Sequence, residues 1–138
     1  MNYKIIAKYI KNLQFKIPST KTFFSLAQDI SKYKINIDIK SNQVKEKIIE
    51  VETKLSLISS EKNSEKITTE ISHSTIVEIT KAIQNKEDLE KIILIEVPNK
   101  IYSEVRNSFI FLFESSGYKD IKIDREVNFL ELYEKNKN

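Results

Sequence analysis

Tyr33-Lys34-Ile35-Asn36-Ile37-Asp38-Ile39 alternates apolar and polar residues without a fault. A β-strand turns successive side chains to opposite faces, so this segment reads as a strand with one buried and one wetted face. Two further segments repeat the pattern. Over Lys47–Ser59, Ile49, Val51, Thr53, Leu55 and Leu57 take one parity, and Glu50, Glu52, Lys54 and Ser56 the other. Over Lys66–Thr80 the first parity holds Ile67, Thr69, Ile71, His73, Thr75, Val77 and Ile79. β-branched residues dominate both, as strands favour. Ser41-Asn42-Gln43 and Glu61-Lys62-Asn63-Ser64 read as turns. Three alternating strands joined by short turns predict an antiparallel meander with one solvated face.

Upstream, Ile5–Ile17 reads as another strand, with Tyr9, Leu13, Phe15 and Ile17 sharing a parity. Pro18 ends it and Ser19-Thr20 opens a crossover. Within that connection Phe23, Phe24, Leu26 and Ala27 form an apolar patch of one helical turn. Downstream the pattern turns helical. Asn85 is placed to cap a helix, with Glu87 and Asp88 in its first turn. Leu89, Ile92, Ile93 and Val97 suit that helix, although Ile92–Ile95 alone fits a buried strand equally. Pro98 breaks or kinks the segment. A second helix is predicted over Lys100–Ser115, with Ile101, Val105, Phe109, Leu112 and Phe113 as its stripe. Ile110 and Phe111 lie off that stripe, and a helix apolar on more than one side needs a second partner. Gly117 suits a left-handed cap. Ile121 and Ile123 form a short extended piece, and Asn128 caps a final helix, Phe129–Lys135.

The chain has 138 residues, 40% of them hydrophobic and 31% charged. That is one domain with a core, residues 1–138, whose ends 1–4 and 134–138 are expected to be flexible. No apolar run approaches the roughly 20 residues that span a bilayer. The N-terminus carries no secretory pattern. The absence of cysteine excludes thiolate metal sites and disulfides and points to the cytoplasm. A single glycine excludes Gly-rich phosphate loops. The net charge of +3 is weak, and 23 Lys and Arg are interspersed with 20 acids. A nucleic-acid module clusters its bases on one stripe, so none is expected. His73 reads as a packed or half-exposed strand histidine, and the Glu/Lys clusters as solvated faces and turns. No enzyme constellation remains, and no cofactor is implied. What remains is apolar surface: Phe23 and Phe24, in a connection, either plug the core or line a hydrophobic groove.

The order of elements and four motifs resemble the SecB family of bacterial export chaperones. Tyr9-Ile10-Lys11-Asn12-Leu13-Gln14-Phe15-Lys16-Ile17-Pro18 resembles that family's first strand, "YxKDxSFExP". Tyr33–Asp38 is similar to "VKLDLD". Val97-Pro98-Asn99 with Tyr102 and Val105-Arg106 resembles "CPN…LFPYARE", and Val127-Asn128-Phe129 with Leu132-Tyr133 resembles "VNFxxLF". The resemblance implies an α+β fold: a four-stranded antiparallel sheet with a kinked, two-part helix and a short C-terminal helix on one side. It implies a homotetramer, a dimer of dimers, with Ile110 and Phe111 at a subunit contact. It implies an ATP-independent holdase that keeps exported precursors unfolded for the SecA motor.

By the same resemblance the client groove is lined by Phe23, Phe24, Tyr33, Ile35, Ile37, Ile121, Phe129, Leu132 and Tyr133. The motor-docking face falls on Asn12, Lys16, Thr68 and Glu70. Here the chain departs from the family. Asn12 and Lys16 stand where it carries carboxylates, Thr68 stands at an apolar position, and only Glu70 is acidic. A weakened SecA contact is therefore expected, and a SecB-like chaperone of another client system, such as a toxin–antitoxin pair, is the alternative. The rivals from other classes are a nucleic-acid-binding sheet and a small-ligand carrier, neither with a polar constellation to support it.

Overall fold

A computed structural model describes residues 2–29, 33–59, 67–118 and 123–136. Four strands form one sheet: β1 (Tyr3–Lys16), β2 (Tyr33–Lys45), β3 (Ile48–Ser59) and β4 (Thr68–Ile79), in the spatial order β1-β4-β3-β2. Every neighbouring pair is antiparallel. β2, β3 and β4 form the expected meander. Helix α1 (Thr20–Asp29) carries the chain from one edge of the sheet to the other. This is a full helix rather than a single turn, started by Ser19, whose Oγ accepts from the Thr22 N–H at 3.2 Å.

Several boundaries differ from the sequence reading, each for a pairing reason. β2 runs through Ser41-Asn42-Gln43 because they pair with Val51, Glu50 and Ile49. The turn falls instead on Glu46-Lys47, and Lys47 adopts a left-handed φ of 66°. In β1 the register slips between Ile5 and Ala7 and again between Ile10 and Asn12. A bulge inserts one residue and flips every side chain beyond it. Tyr9, opposite Ser74, therefore lies on the open face, whereas Leu13, opposite Ile71, lies on the helix side. The shared parity expected for Tyr9 and Leu13 does not hold. Tyr3 pairs with Ile79 and is buried, and Lys4 pairs with Glu78. Residues 134–136 complete the last helix.

The helical half is continuous. α2 (Lys86–Lys91) passes through a π-helical turn, Ile92–Glu96, into α3 (Val97–Ser115). Asn85 caps it, accepting from the Asp88 N–H at 2.7 Å. Pro98 lacks an N–H and its ring would clash with the carbonyl four residues back. The wider π turn in front of it lets the helix pass without breaking. The run Ile92–Ile95 is thus helical, not a strand. α3 lays Val97, Ile101, Val105, Phe109 and Phe113 against Val51, Leu55 and Ile71 of β3 and β4. Gly117, at φ 99°, ends it, and the Tyr118 N–H returns to the Phe113 carbonyl at 3.0 Å. The final helix, α4 (Phe129–Asn136), is capped by Asn128, which accepts from the Glu131 N–H at 3.0 Å. Among the described residues no helix is long and apolar enough to cross a membrane.

Candidate functional site

β2 is an edge strand, and α3 lies over β3 and β4. The helix-side residues Ile35, Ile37 and Ile39 are therefore only half-buried. Between this strand and the segment 123–135 runs a cleft of three contiguous pockets of about 450, 380 and 470 Å3. Ile37 lines all three, joined by Val127 in two and by Leu132 in two.

The far wall is held by the long helix. The Tyr102 hydroxyl donates to the Asp124 carbonyl at 2.7 Å, and Arg106 Nε donates to the Ile123 carbonyl at 3.0 Å. Burial pushes the Tyr102 phenol above its usual value, with Arg106 acting against the shift, so the hydroxyl keeps its donor proton. The Tyr133 hydroxyl donates to Glu90 Oε2 at 3.1 Å and ties α4 to α2. Five carboxylates (Asp38, Glu90, Asp124, Glu126 and Glu131) and two lysines (Lys34 and Lys135) lie around the cleft. In a chain of net charge +3 this rim is locally acidic.

Of the residues expected in a groove, Ile35, Ile37, Leu132 and Tyr133 meet in this cleft. Phe129 does not open into it. The ring is 1% exposed and packs edge to face on Tyr102 at 5.9 Å, beneath the cleft. Phe23 and Phe24 do not line it either. Phe23 is half-buried against Tyr118, with ring centroids 4.6 Å apart, whereas Phe24 is 58% exposed. The side chain of Tyr33 and all of Ile121 lie outside the described residues. The sequence reading missed Ile39, Leu94 and Val127. Ile39 carried the signal, being the next member of the β2 alternation, but Leu94 and Val127 arrive through helix packing and a loop.

The opposite, open face of the sheet brings Asn12, Lys16, Thr68 and Glu70 together. Lys16 pairs with Thr68, and Asn12 Nδ2 donates to Glu70 Oε2 at 2.7 Å. Lys54 Nζ stands 3.5 Å from the other Glu70 oxygen. Nearby, Glu50 is 8% exposed yet charged. It accepts from Ser74 Oγ at 2.5 Å, from the Tyr9 hydroxyl at 2.9 Å and from Lys11 Nζ at 3.2 Å. The Ser74 hydrogen bond, helped by Tyr9 and Lys11, holds the carboxyl below its ordinary value against the opposing effect of burial. Glu50 in turn raises Lys11, mainly through their hydrogen bond. Lys11 also reaches Glu52 at 3.4 Å, and Lys4 reaches Glu78 at 3.4 Å. Glu50, Glu52, Glu70 and Glu78 on this face are thus each paired with a lysine of the same chain.

On the helix side, Ile10 and Leu13 of β1 stay half exposed. On α3, Ile110 is half-buried and Phe111 is 68% exposed.

An antiparallel sheet covered on one side by a long joined helix, with an apolar cleft at its edge, is the SecB-like chaperone fold. The chain belongs to the SecB family: the model of the preprotein translocase subunit SecB matches residues 1–138. It is 42% identical over 137 residues to a SecB protein-export protein of Pelagibacter ubique, covering 99% of this chain and 98% of that one. It is 24% identical over 129 residues to the SecB of Rhodospirillum rubrum, covering 94% and 78%. A solved Mycobacterium tuberculosis SecB-like chaperone, in complex with a ChAD peptide from the HigA1 antitoxin, shares the fold at a TM-score of 0.64. Its identity is 9%, with 89% of this chain and 90% of that chain covered.

Proposed function

We propose that this chain is a cytoplasmic, ATP-independent holdase that binds unfolded precursor polypeptides in the β2–α4 cleft and presents them for Sec-type export. The observation that carries the reading is the cleft itself: an apolar strip on an edge strand, lined by Ile35, Ile37, Ile39, Val127 and Leu132. Burying about 200 Å2 of client apolar surface contributes about 5 kcal/mol before ordering costs, at ~25 cal/mol per Å2. One cleft is therefore a weak site, suited to fast exchange. Assembly as a homotetramer, a dimer of dimers, links several clefts and raises avidity through effective concentration. The exposed Phe111 and the half-buried Ile110 of α3 support that assembly. The acidic rim favours apolar segments flanked by Lys or Arg. Such flanks add salt-sensitive selectivity to a binding energy that salt does not screen.

The self-paired carboxylates of the open face support a second reading, in which the client system is not the SecA pathway. Each acid that a basic motor tail would seek is held by a lysine of the chain itself.

The test is suppression of aggregation of a denatured precursor on dilution, without nucleotide. The wild type is expected to suppress it near stoichiometry. The double variant Ile37→Thr, Leu132→Gln keeps strand and helix propensity. It is expected to bind about 10- to 100-fold more weakly, or roughly 1.4–2.8 kcal/mol. Equal binding by a folded double variant places the client elsewhere.

A further inference from the structure

Val97, Ile101 and Val105 belong to the buried stripe of α3. Regular α-helical spacing, counted back three, four and seven residues from Val97, extends that stripe to Leu94, Ile93 and Glu90. The structure buries Ile92 and Ile93 instead, and Leu89 packs on the core beside them. The Val97 N–H reaches the carbonyl of Ile92, five residues back, so the turn Ile92–Glu96 holds one residue more than an α turn. That insertion puts Leu89, not the carboxylate of Glu90, under the helix. The extra residue lands on the side that faces α4. Leu94 lines the last pocket of the cleft with Leu132 and Tyr133, and the half-buried Ile95 packs against the core cluster that holds Phe129. Glu90, one turn before Leu94, accepts from the Tyr133 hydroxyl at 3.1 Å. Among the described residues, this turn is the element that α4 packs on most.

Resting on the client-binding reading above, we infer that the π-helical turn is the seat of α4 and that its extra residue sets the width of the cleft, with Leu94 and Ile95 as positioning residues. One wall, β2, is fixed by its pairing to β3. The other, α4, stands where the turn holds it. The distance between packed helices follows the side chains at their contact over about 2 Å. Leu94, Ile95 and Glu96 separate the buried pair Ile92–Ile93 from Val97, where a regular turn has one residue fewer. A regular turn would therefore offer α4 a single apolar side chain in place of Leu94 and Ile95. α4 would shift, and Leu132 would lose its spacing from Ile37 across the cleft. The turn thus controls client binding through α4.

The experiment compares the wild type with a deletion of Glu96 and with Glu96→Ala and Ile95→Ala. Deleting the exposed Glu96 closes the turn to α spacing, keeps Ile92, Ile93 and Val97 in the core, and removes no apolar side chain. The chain has no cysteine, so spin labels at Asn42→Cys of β2 and Glu134→Cys of α4, both exposed, report the spacing of the two walls. Unlabelled protein is titrated in parallel with reduced, carboxymethylated lysozyme as a permanently unfolded probe. The deletion is expected to move the label distance by about 2 Å and to weaken binding about tenfold. Ile95→Ala should move both in the same direction by less, and Glu96→Ala should leave both at the wild-type values. A folded deletion variant with unchanged distance overturns the seat. A changed distance with unchanged affinity overturns the control of binding and leaves the client reading standing. If the deletion does not fold, Ile95→Ala decides, and wild-type distance and affinity there overturn the inference. If the wild type binds no unfolded protein, the client reading fails, and an unmoved α4 in the variants still overturns the seat.

Discussion

The two edges of the sheet are built from similar residues and treated in opposite ways. β1 is interrupted by two bulges, and its Tyr9 and Lys11 reach across β4 to Glu50 of β3. Bulges and lysines are devices that keep an edge from accepting another strand. β2 has no register shift before Gln43 and opens on an apolar cleft along Ile35, Ile37 and Ile39. One edge is broken by bulges, and the other runs in even register beside the cleft. The faces follow suit. The open face uses its charges on one another, while the cleft collects carboxylates that have room at the rim.

The largest effect that separates the two edges should come from α3. Replacing Ile110 and Phe111 together by Asp puts unpaired charge into the proposed subunit contact and should convert tetramers to dimers in light scattering. Each dimer should keep single-cleft affinity but lose avidity. A wild type that is monomeric at micromolar concentration removes the assembly from the account.

Next is the tie across the open face between β4 and β3. Ser74→Ala removes the strongest donor to a buried carboxylate and should cost about 1.5–3 kcal/mol in urea unfolding, while peptide binding at β2 stays unchanged. The sign with pH follows from Glu50. Its carboxyl lies below the ordinary 4.5 in the folded chain, so the stability it contributes is present above that value and is lost as pH falls through the lower, folded one. Ser74→Ala should shrink that acid-side loss.

A third test concerns His73, which sits on the helix side between Ile10 and Thr53, 9% exposed, with no partner for Nε2 among the described residues. Burial lowers its pKa below the usual 6.5, with Glu104 opposing and Lys8 assisting. The unfolded chain then takes up the proton first, so stability should fall as pH drops below 6.5. His73→Gln should flatten that slope. An unchanged slope would mean that the imidazole meets solvent.

The smallest effect is expected at the open face. Asn12→Asp with Lys16→Glu supplies two carboxylates, each worth about 0–1 kcal/mol toward a basic tail peptide at low salt. The gain carries a cost, because Asn12 donates to Glu70 and an aspartate there faces a like charge. Calorimetry of a SecA tail peptide against both versions should show a few-fold tightening that vanishes at high salt. Equal affinities would show that docking does not use this face.

The alternation of residues 33–39, 47–59 and 66–80 was enough to establish three strands and their wetted faces, because side-chain direction along a strand is a local steric fact. The caps at Asn85, Gly117 and Asn128 were equally local and legible. The bulges of β1 were not, since a bulge exists only against a partner strand, and Tyr9 and Leu13 part company for that reason alone. Ile92–Ile95 carried no periodicity of its own and took its π-helical form from Pro98 behind it. Glu50 looked like a solvated strand residue until Ser74, Tyr9 and Lys11 arrived from two other strands. Phe129 and Phe24 were indistinguishable as exposed or buried, because coverage depends on what packs above them. The sequence by itself determined the order and type of most strands and helices and that apolar surface exceeds the core. Tertiary structure alone decided which edge stays open and where the cleft lies, because edges and clefts are made between segments distant in the chain.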